Sequence, residues 1–214
     1  MSSCPNAIFQ GRYTWRHDQV LRVMADILEK ERKKERPLNR TGPQLISFVR
    51  EGESKSSSTS TSTSILSTSI LHKSKKWEML VDLGKKLKFP QEVTHTMLRP
   101  DIVLWSKSPK LVIPVELTVP WEERADEAHE LKKSKYQELA DTCRDRGWKT
   151  WVFPVEVGSR GFPSQSVWRM LGAVGIKGRV RKTAAHALGK AAERASSWLW
   201  LRRSEPTWQP TQTR

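Results

Sequence analysis

The spacing of apolar residues near the start of the chain predicts an amphipathic helix at 17–36. The residues that recur at intervals of three and four are Val20, Leu21, Met24, Ile27 and Leu28. Asp18 is placed to cap the first turn, and Pro37 cannot continue a helix. We therefore expect a helix that Asp18 begins and Pro37 ends.

Shorter apolar runs further along the chain predict strands. Residues 77–83 form one strand, and 102–106 and 111–119 form a hairpin around the polar turn 107–110. Pro114 lies inside the last of these runs, and it has no N–H to donate to a neighbouring strand. We expect this strand to lie at an edge of the sheet or to carry a bulge.

The second half of the chain alternates helix and strand. A long helix is expected at 120–146, a strand at 149–157, and further helices at 164–173 and 179–203. A strand that follows a helix in this way favours a parallel crossover connection. The expected fold class is α/β, with a small mixed sheet flanked by helices.

Composition divides the chain into segments. A Ser/Thr-rich, low-complexity stretch at 51–76 has no apolar face, and we expect it to be a disordered insertion. It separates an N-terminal part, 1–50, from the core of the same fold, 77–176. A basic helix at 177–203 follows, and the tail at 204–214 is expected to be disordered.

The chain is strongly basic. It has 38 Lys and Arg residues against 23 Asp and Glu, a formal charge of +15, which suits nucleic acid or an anionic membrane surface. We favour nucleic acid. No apolar run approaches the ~20 residues that span a bilayer, and the Ala-rich face of the basic C-terminal helix is too shallow to insert well, so we expect no membrane association. The N-terminus lacks a signal-peptide pattern, and two cysteines make no zinc set or disulfide framework. The expected location is the nucleus, or the cytoplasm before import, and the protein is not expected to be secreted.

Two carboxylates are placed to meet in the hairpin. Glu116 lies inside an apolar run, where an unpaired charge is costly. A turn centred on 107–110 pairs it with Asp101, and such cross-strand neighbours have Cβ atoms ~5 Å apart. Because like charges this close repel, we expect a hard divalent ion, Mg²⁺ or Mn²⁺, to bind between them. Such an ion would polarise a phosphodiester and lower the pKa of an attacking water.

The helix expected at 120–146 adds a lysine and a tyrosine. Lys132 falls on its apolar stripe between Ala128 and Tyr136, so it can reach the site from the inner face. There it would hold the attacking water or steady the phosphate charge, and Tyr136 would contact the site or a phosphate. From spacing alone the alternatives stay open: Lys132 extends to solvent along its own stem, and Tyr136 is a core aromatic with a solvated hydroxyl.

Four short motifs occur in order on these elements. They are Arg16-His17-Asp18, Arg99-Pro100-Asp101, Glu116-Leu117-Thr118-Val119 and Lys132-Lys133-Ser134-Lys135-Tyr136. Pro-Asp followed by Glu-x-Thr resembles the PD-(D/E)xK nuclease core, with Thr118 where the lysine of that core usually stands. The set as a whole resembles the restriction-like endonuclease of site-specific non-LTR retrotransposons, a branch in which this lysine has moved.

The resemblance implies a restriction-endonuclease-like sandwich and DNA nicking that depends on Mg²⁺ or Mn²⁺. The implied catalytic residues are Asp101, Glu116, Tyr136 and Asp18, with Lys132 or Lys135 as the displaced lysine and with helix phase favouring Lys132. Of these residues, Asp101 and Glu116 ligate the metal. His17 is the alternative to Asp18 on the first helix. The structural alternative is that Asp18 is the N-cap and His17 its neighbour. The expected partners are DNA and, as separate molecules, a reverse transcriptase and element RNA.

Further basic residues predict contacts to phosphates. The helix expected at 179–203 begins with a basic cluster, and each phosphate contact would steepen the salt dependence of binding. The predicted nucleic-acid contacts are Arg16, His17, Arg99, Arg160, Arg179, Arg181 and Lys182. Trp198 and Trp200 can stack on bases or anchor the helix to the core. An endonuclease is the leading interpretation, and a basic nucleic-acid-binding protein that kept the fold but lost cleavage is the alternative.

Overall fold

The structure, a computed structural model, describes residues 10–34 and 69–205. These residues are arranged around one mixed sheet of five strands. The strands are β1 (Glu78–Val81), β2 (Ile102–Ser106), β3 (Leu111–Thr118), β4 (Lys149–Thr150) and β5 (Phe153–Glu156). Strands β1, β2 and β3 pair antiparallel in chain order, and β4 and β5 both pair parallel with β3. The predicted α/β class with a small mixed sheet is confirmed, and so is the parallel crossover.

Helices flank this sheet. Those of the described residues are α1 (Arg12–Arg32), α2 (Ala125–Lys135), α3 (Gln137–Asp145), α4 (Gln165–Val174) and α5 (Gly178–Leu201), with short 3₁₀ helices at Ile70–Lys73 and Glu122–Arg124. None of the described helices is long and apolar enough to cross a membrane. Predictions that fall on residues 1–9, 35–68 and 206–214, including most of the Ser/Thr-rich insertion and of the tail, lie outside the described residues.

The hairpin of β2 and β3 has the register that the sequence predicts. Ile102 pairs with Val115, and Ser106 pairs with Leu111 next to the turn. The same register, continued by one residue, places Asp101 opposite Glu116. The predicted hairpin is therefore confirmed, and its last observed pair, Ile102 with Val115, is adjacent to Asp101 and Glu116.

Pro114 lies on a central strand, so the prediction of an edge strand is wrong. Strand β3 pairs with β2 on one side and with β4 and β5 on the other. Val112 pairs with Thr150 before the proline and Val115 pairs with Phe153 after it, at the same offset, so no bulge residue is inserted. The partner strand instead breaks between β4 and β5, beside the position where Pro114 has no N–H to donate.

Helix α1 starts earlier and ends earlier than predicted. It begins after Gly11, whose φ of 67° glycine adopts without strain. Asp18 therefore lies well inside the helix and is not its N-cap, which corrects the prediction. The helix ends at Arg32, before Pro37 is reached, and Arg32 there donates a hydrogen bond to the carbonyl oxygen of Trp77 at 2.5 Å.

The helix predicted at 120–146 is divided at Tyr136. This residue has φ −98° and ψ 3°, which departs from regular helix geometry and separates α2 from α3. Its ring is fully buried, so the apolar contacts of the aromatic side chain compensate for the interrupted helix. Gly147 follows α3 with φ 81°, in agreement with its predicted role as the stop.

The described chain resumes at Ser69, before the predicted end of the insertion at residue 76. Ile70 and Leu71 are buried in the main apolar cluster, and the indole N–H of Trp77 donates to the carbonyl oxygen of Leu71 at 3.0 Å. The second Ser-Ile-Leu repeat of the Ser/Thr-rich stretch thus belongs to the folded core. An isolated repeat is too short to form a core, but it can extend one that other elements build.

Helices cover both faces of the sheet. On one face, α1, α4 and α5 pack against alternate strand residues such as Leu104 and Ile113. On the other, Tyr136 and α3 pack against Val103 and Val112. The basic helix α5 lies along α1, where the rings of Trp15 and Trp198 are 4.7 Å apart, so α5 is part of the same packed unit. The anchoring alternative for Trp198 is the one observed.

Candidate active site

Asp101 and Glu116 lie on the same face of the sheet. Side chains alternate along a strand, so Asp101 shares a face with Val103, and Glu116 shares a face with Val112. Both valines belong to the cluster under Tyr136 and α3. The two acids therefore point to the side that α2 and α3 cover, and neither is directed toward α4 and α5.

Glu116 is buried, and both of its carboxylate oxygens are bonded. The ammonium of Lys132 donates to Oε1 at 2.5 Å, and the hydroxyl of Tyr136 lies 2.7 Å from Oε2. The ammonium of Lys135 is further away, 3.8 Å from Oε1. These contacts explain how an acid stands in an otherwise apolar run: its charge is paired and hydrogen-bonded.

Helix phase separates the three lysines of the Lys-rich motif. Lys132 points inward to Glu116, and Lys135 lies at the rim of the same site. Lys133 points elsewhere, with its ammonium 3.4 Å from the exposed carboxylate of Glu130 on the same helix. Of the alternatives left open by spacing, the inward orientation of Lys132 is the one that the structure has.

Tyr136 is a buried link between the helices and the strands. Its hydroxyl oxygen lies 2.7 Å from Glu116 Oε2 and 2.9 Å from the carbonyl oxygen of Arg99, and it can donate its single proton to either. Burial and the negative charge of Glu116 raise the pKa of Tyr136 well above its ordinary value. The phenol therefore stays protonated and acts as a hydrogen-bond donor to the carboxylate.

Asp101 is held by the backbone and by the first helix. Its Oδ2 accepts the N–H of Leu117 at 2.6 Å and lies 3.3 Å from Nε2 of His17. The other ring nitrogen of His17 is 3.2 Å from Asp18 Oδ1. Of the two α1 residues predicted for this site, His17 is the one in contact with Asp101, and Asp18 acts on it through the imidazole.

His17 is a cation at neutral pH. Burial opposes its charge, but hydrogen bonds to Asp101 and Asp18 outweigh this effect and raise the pKa of His17 to about 10. The acidic pair thus faces two cations, because His17 contacts Asp101 and Lys132 contacts Glu116. These two cations neutralise the negative charges of the neighbouring carboxylates without requiring a metal.

The donor set fits a hard divalent cation bound by few protein ligands. Mg²⁺ prefers carboxylate oxygens and commonly uses one or two of them, with water and phosphate oxygens completing its shell. Asp101 and Glu116 offer that chemistry on one face. No group of three or more His, Cys, Asp or Glu side chains with metal-site geometry occurs in residues 10–34 and 69–205. A metal at this site would therefore rely on the acidic pair.

The predicted phosphate contacts near the site are differently exposed. Arg16 is buried and donates to the carbonyl oxygen of Val119 at 2.8 Å, and burial lowers the pKa of its guanidinium. Arg99 is at the surface, 2.8 Å from a carboxylate oxygen of Asp82. Arg16 thus serves the fold in this arrangement, whereas Arg99 is accessible to a large ligand.

The remaining predicted contacts also differ in exposure. Arg160 is exposed and pairs with Glu122 at 2.8 Å. Arg179 and Lys182 are exposed at the start of α5. Arg181 is half-buried, with its guanidinium 5.7 Å from the ring centre of Trp168. Arg179 and Lys182 are therefore better placed for phosphates than their neighbour Arg181.

Sequence reasoning missed a second buried acid. Glu156, at the end of β5, has Oε2 2.6 Å from the hydroxyl of Ser166 and 3.0 Å from Nδ1 of His129 on α2. Its Oε1 is buried with no hydrogen-bond partner among the described residues. The signal was available, because Glu156 stands between Val155 and Val157 just as Glu116 stands between Val115 and Leu117.

Comparisons with known proteins give no family for this chain. Neither a scan against protein-family models nor a search of curated proteins found a match.

Proposed function

We propose that this chain is a metal-dependent DNA endonuclease with a restriction-endonuclease-like fold, of the kind found in site-specific non-LTR retrotransposons. The observation that carries the proposal is one cluster: Asp101 and Glu116 in cross-strand register, with the ammonium of Lys132 2.5 Å from Glu116. The cluster joins three of the four motifs that suggested this family. The fourth, Arg16-His17-Asp18, adds His17 to it.

In this proposal Asp101 and Glu116 hold a Mg²⁺ or Mn²⁺ ion. When bound, the ion supplies Lewis-acid chemistry, which activates a water and polarises a phosphodiester. The backbone N–H of Leu117 and the hydroxyl of Tyr136 each fix one carboxylate, at 2.6 Å and 2.7 Å. Both acids are thus held in position before DNA arrives, which lowers the cost of ordering them.

Lys132 has hydrogen-bond donors to spare. An ammonium carries three N–H groups, and only one is needed for Glu116. The other two can orient a water or stabilise the negative charge that develops on the phosphate during in-line attack. Lys132 therefore performs, from a helix, the task of the strand lysine whose position Thr118 occupies.

Nicking of supercoiled plasmid in Mg²⁺ or Mn²⁺ tests the proposal. We expect wild type to produce open circles and EDTA to abolish them. Asp101→Asn, Glu116→Gln and Lys132→Met should each lower the rate by at least about 100-fold. Glu138→Gln, at an exposed acid of α3, is the matched control and should keep full activity.

Two results would reject this assignment. If wild type nicks in neither metal, the chain is not an endonuclease under conditions that suit its family. If nicking survives both Asp101→Asn and Glu116→Gln, the cleaving site lies elsewhere.

A second candidate function is a DNA-binding protein without cleavage. Lys132 and His17 already neutralise Asp101 and Glu116, so the two acids do not need a metal, and this favours a protein that binds DNA without cleaving it. Both candidates require DNA binding that weakens with salt, and only the endonuclease requires Mg²⁺ or Mn²⁺. A reverse transcriptase, element RNA and a nuclear location belong to either proposal through the family resemblance alone.

A further inference from the structure

A cavity of about 300 Å³ lies between α2, α3, β5 and α4, beside the acidic cluster. Its walls carry Lys133 from α2, Arg144 from α3 and Arg169 from α4, and His129 also lines it. No carboxylate is among its lining residues in the described chain. We infer that this cavity binds a phosphorylated nucleoside, with the phosphate at the cationic rim and the nucleoside on the apolar floor.

Among the described residues, the three rim cations contact only exposed side chains of their own helices, and Arg169 donates to Oε1 of Gln165 at 3.0 Å. Lys133 and Arg144 now pair with acids three residues earlier on their own helices, at 3.4 Å and 2.6 Å, and these side chains are at least half exposed. Exposed pairs of this kind contribute little to stability. A phosphate that meets several cations at once offers stronger, charge-assisted hydrogen bonds. Lys133 and Arg144 should therefore leave their carboxylate partners and bind the phosphate when the ligand enters.

His129 is fixed by a buried acid behind it. Nδ1 of His129 lies 3.0 Å from Glu156 Oε2, and the hydroxyl of Ser166 donates to the same oxygen at 2.6 Å. An ionised carboxylate only accepts, so Nδ1 carries the proton and Nε2 is left for a ligand. Such a supporting contact is typical of histidines that bind ligands, because it fixes both tautomer and ring orientation.

The floor of the cavity is suited to a sugar and a base. Val152 and Phe153, both partly exposed, provide apolar surface below the cations. An inorganic anion would leave this surface in water, whereas a nucleoside would cover it. The volume is at the lower end for small-molecule sites, which matches one nucleotide.

Tyr136 separates this cavity from the acidic cluster. Its ring lines the cavity while its hydroxyl contacts Glu116. Lys132 and Lys133, adjacent in the same motif, consequently serve two different sites. The occupant is either a free mononucleotide or the phosphorylated end of a nucleic-acid strand, since both present the same chemistry.

Calorimetric titration of the full chain in EDTA tests the inference. We expect dAMP to bind, and deoxyadenosine, which lacks the phosphate, to bind at least roughly tenfold more weakly. Lys133→Gln, Arg144→Gln and Arg169→Gln should each weaken dAMP binding by roughly tenfold. Arg146→Gln is the matched control, because Arg146 is exposed beside Arg144 but does not line the cavity.

Short oligonucleotides distinguish the two sources of the ligand. A 5′-phosphorylated strand that binds more tightly than dAMP, and more tightly than its 5′-hydroxyl form, identifies a strand end. Equal or tighter binding of dAMP identifies a free nucleotide. Either result supports the site.

The inference fails if deoxyadenosine binds as tightly as dAMP, or if Arg144→Gln has no larger effect than Arg146→Gln. It does not depend on the metal site, so the double variant Asp101→Asn/Glu116→Gln should bind dAMP like wild type. Absence of nicking by wild type, with dAMP binding intact, would therefore count against the endonuclease alone. The converse result would count against this cavity alone.

Discussion

Two buried acids follow the same rule at the scale of single residues. Glu116 and Glu156 each interrupt an apolar strand, and each contacts a hydroxyl and a nitrogen donor from neighbouring helical segments, although Oε1 of Glu156 has no hydrogen-bond partner in the described chain. A carboxylate removed from water must recover its lost hydration through such contacts. An acid inside an apolar run therefore predicts partners, although the sequence does not say which residues they are.

Lys132 stabilises the fold through Glu116. Lys132→Met should lower the free energy of unfolding by about 1–3 kcal/mol, because a buried carboxylate loses its pair. Lys135→Met, at 3.8 Å from the same carboxylate and largely exposed, should cost less than about 0.5 kcal/mol. Urea denaturation at neutral pH in EDTA compares them. Equal losses would contradict the assignment of Lys132 as the main partner.

Glu29 should make stability depend on acid pH. A hydrogen bond from Arg32 lowers the pKa of Glu29 from 4.5 to about 2. A depressed pKa contributes stability above pH 4.5, and this contribution is lost as pH falls toward 2. Glu29→Gln should therefore destabilise the protein at pH 6 by about 1 kcal/mol, after allowance for solvent screening, and by less at pH 3. A mutational cost that is the same at both pH values would contradict this account.

Breaks in regular structure mark where elements must fit one another. Pro114 coincides with the gap between β4 and β5, and Tyr136 with the turn between α2 and α3. Close approach between a loop and a helix imposes a further restriction at Gly189 of α5. A Cβ atom there would lie 2.2 Å from the carbonyl oxygen of Gly161.

Gly189→Ala should destabilise the fold. In an exposed helix this substitution stabilises by about 1 kcal/mol, but here it forces α5 away from a backbone carbonyl. We expect a loss of about 2 kcal/mol or more, measured by thermal or urea denaturation. His186→Ala, at an exposed position of the same helix, should stay within about 0.5 kcal/mol of wild type. A neutral or stabilising Gly189→Ala would show that the contact with Gly161 yields easily.

At the scale of the whole molecule, the charge of +15 suits a polyanion. The burial of the individual cations decides which of them can contact it. Arg16 is buried against Val119 and Arg181 packs beside Trp168, while Arg179 and Lys182 are exposed. The count of basic residues therefore overstates the number that reach phosphates.

DNA binding should reflect this difference in exposure. Arg179→Gln and Lys182→Gln should each reduce the slope of log K against log salt by about one. Arg16→Gln should leave the slope unchanged and lower stability, because it removes a buried hydrogen bond. Fluorescence anisotropy with a short duplex, over a series of salt concentrations, measures the slopes. A reduced slope for Arg16→Gln would mean that this residue contacts DNA.

The sequence specified the strands of the hairpin and their register. Its apolar runs and its turn match β2 and β3 closely, because both signals are local. The start of α1 and the central position of Pro114 were not predictable in the same way. Gly11 replaces Asp18 as the cap, and the break that accommodates Pro114 is in another strand.

By itself, then, the sequence determined that Asp101 and Glu116 are opposite one another, since strand alternation and turn position fix that relation. Only the tertiary structure decided that Lys132, and not Lys133, reaches Glu116, and that His129 pairs with the buried Glu156. Those choices depend on how α2 is rotated over the sheet. That rotation is set by packing of residues distant in sequence, such as Tyr136 against Val103 and Val112, and not by local pattern.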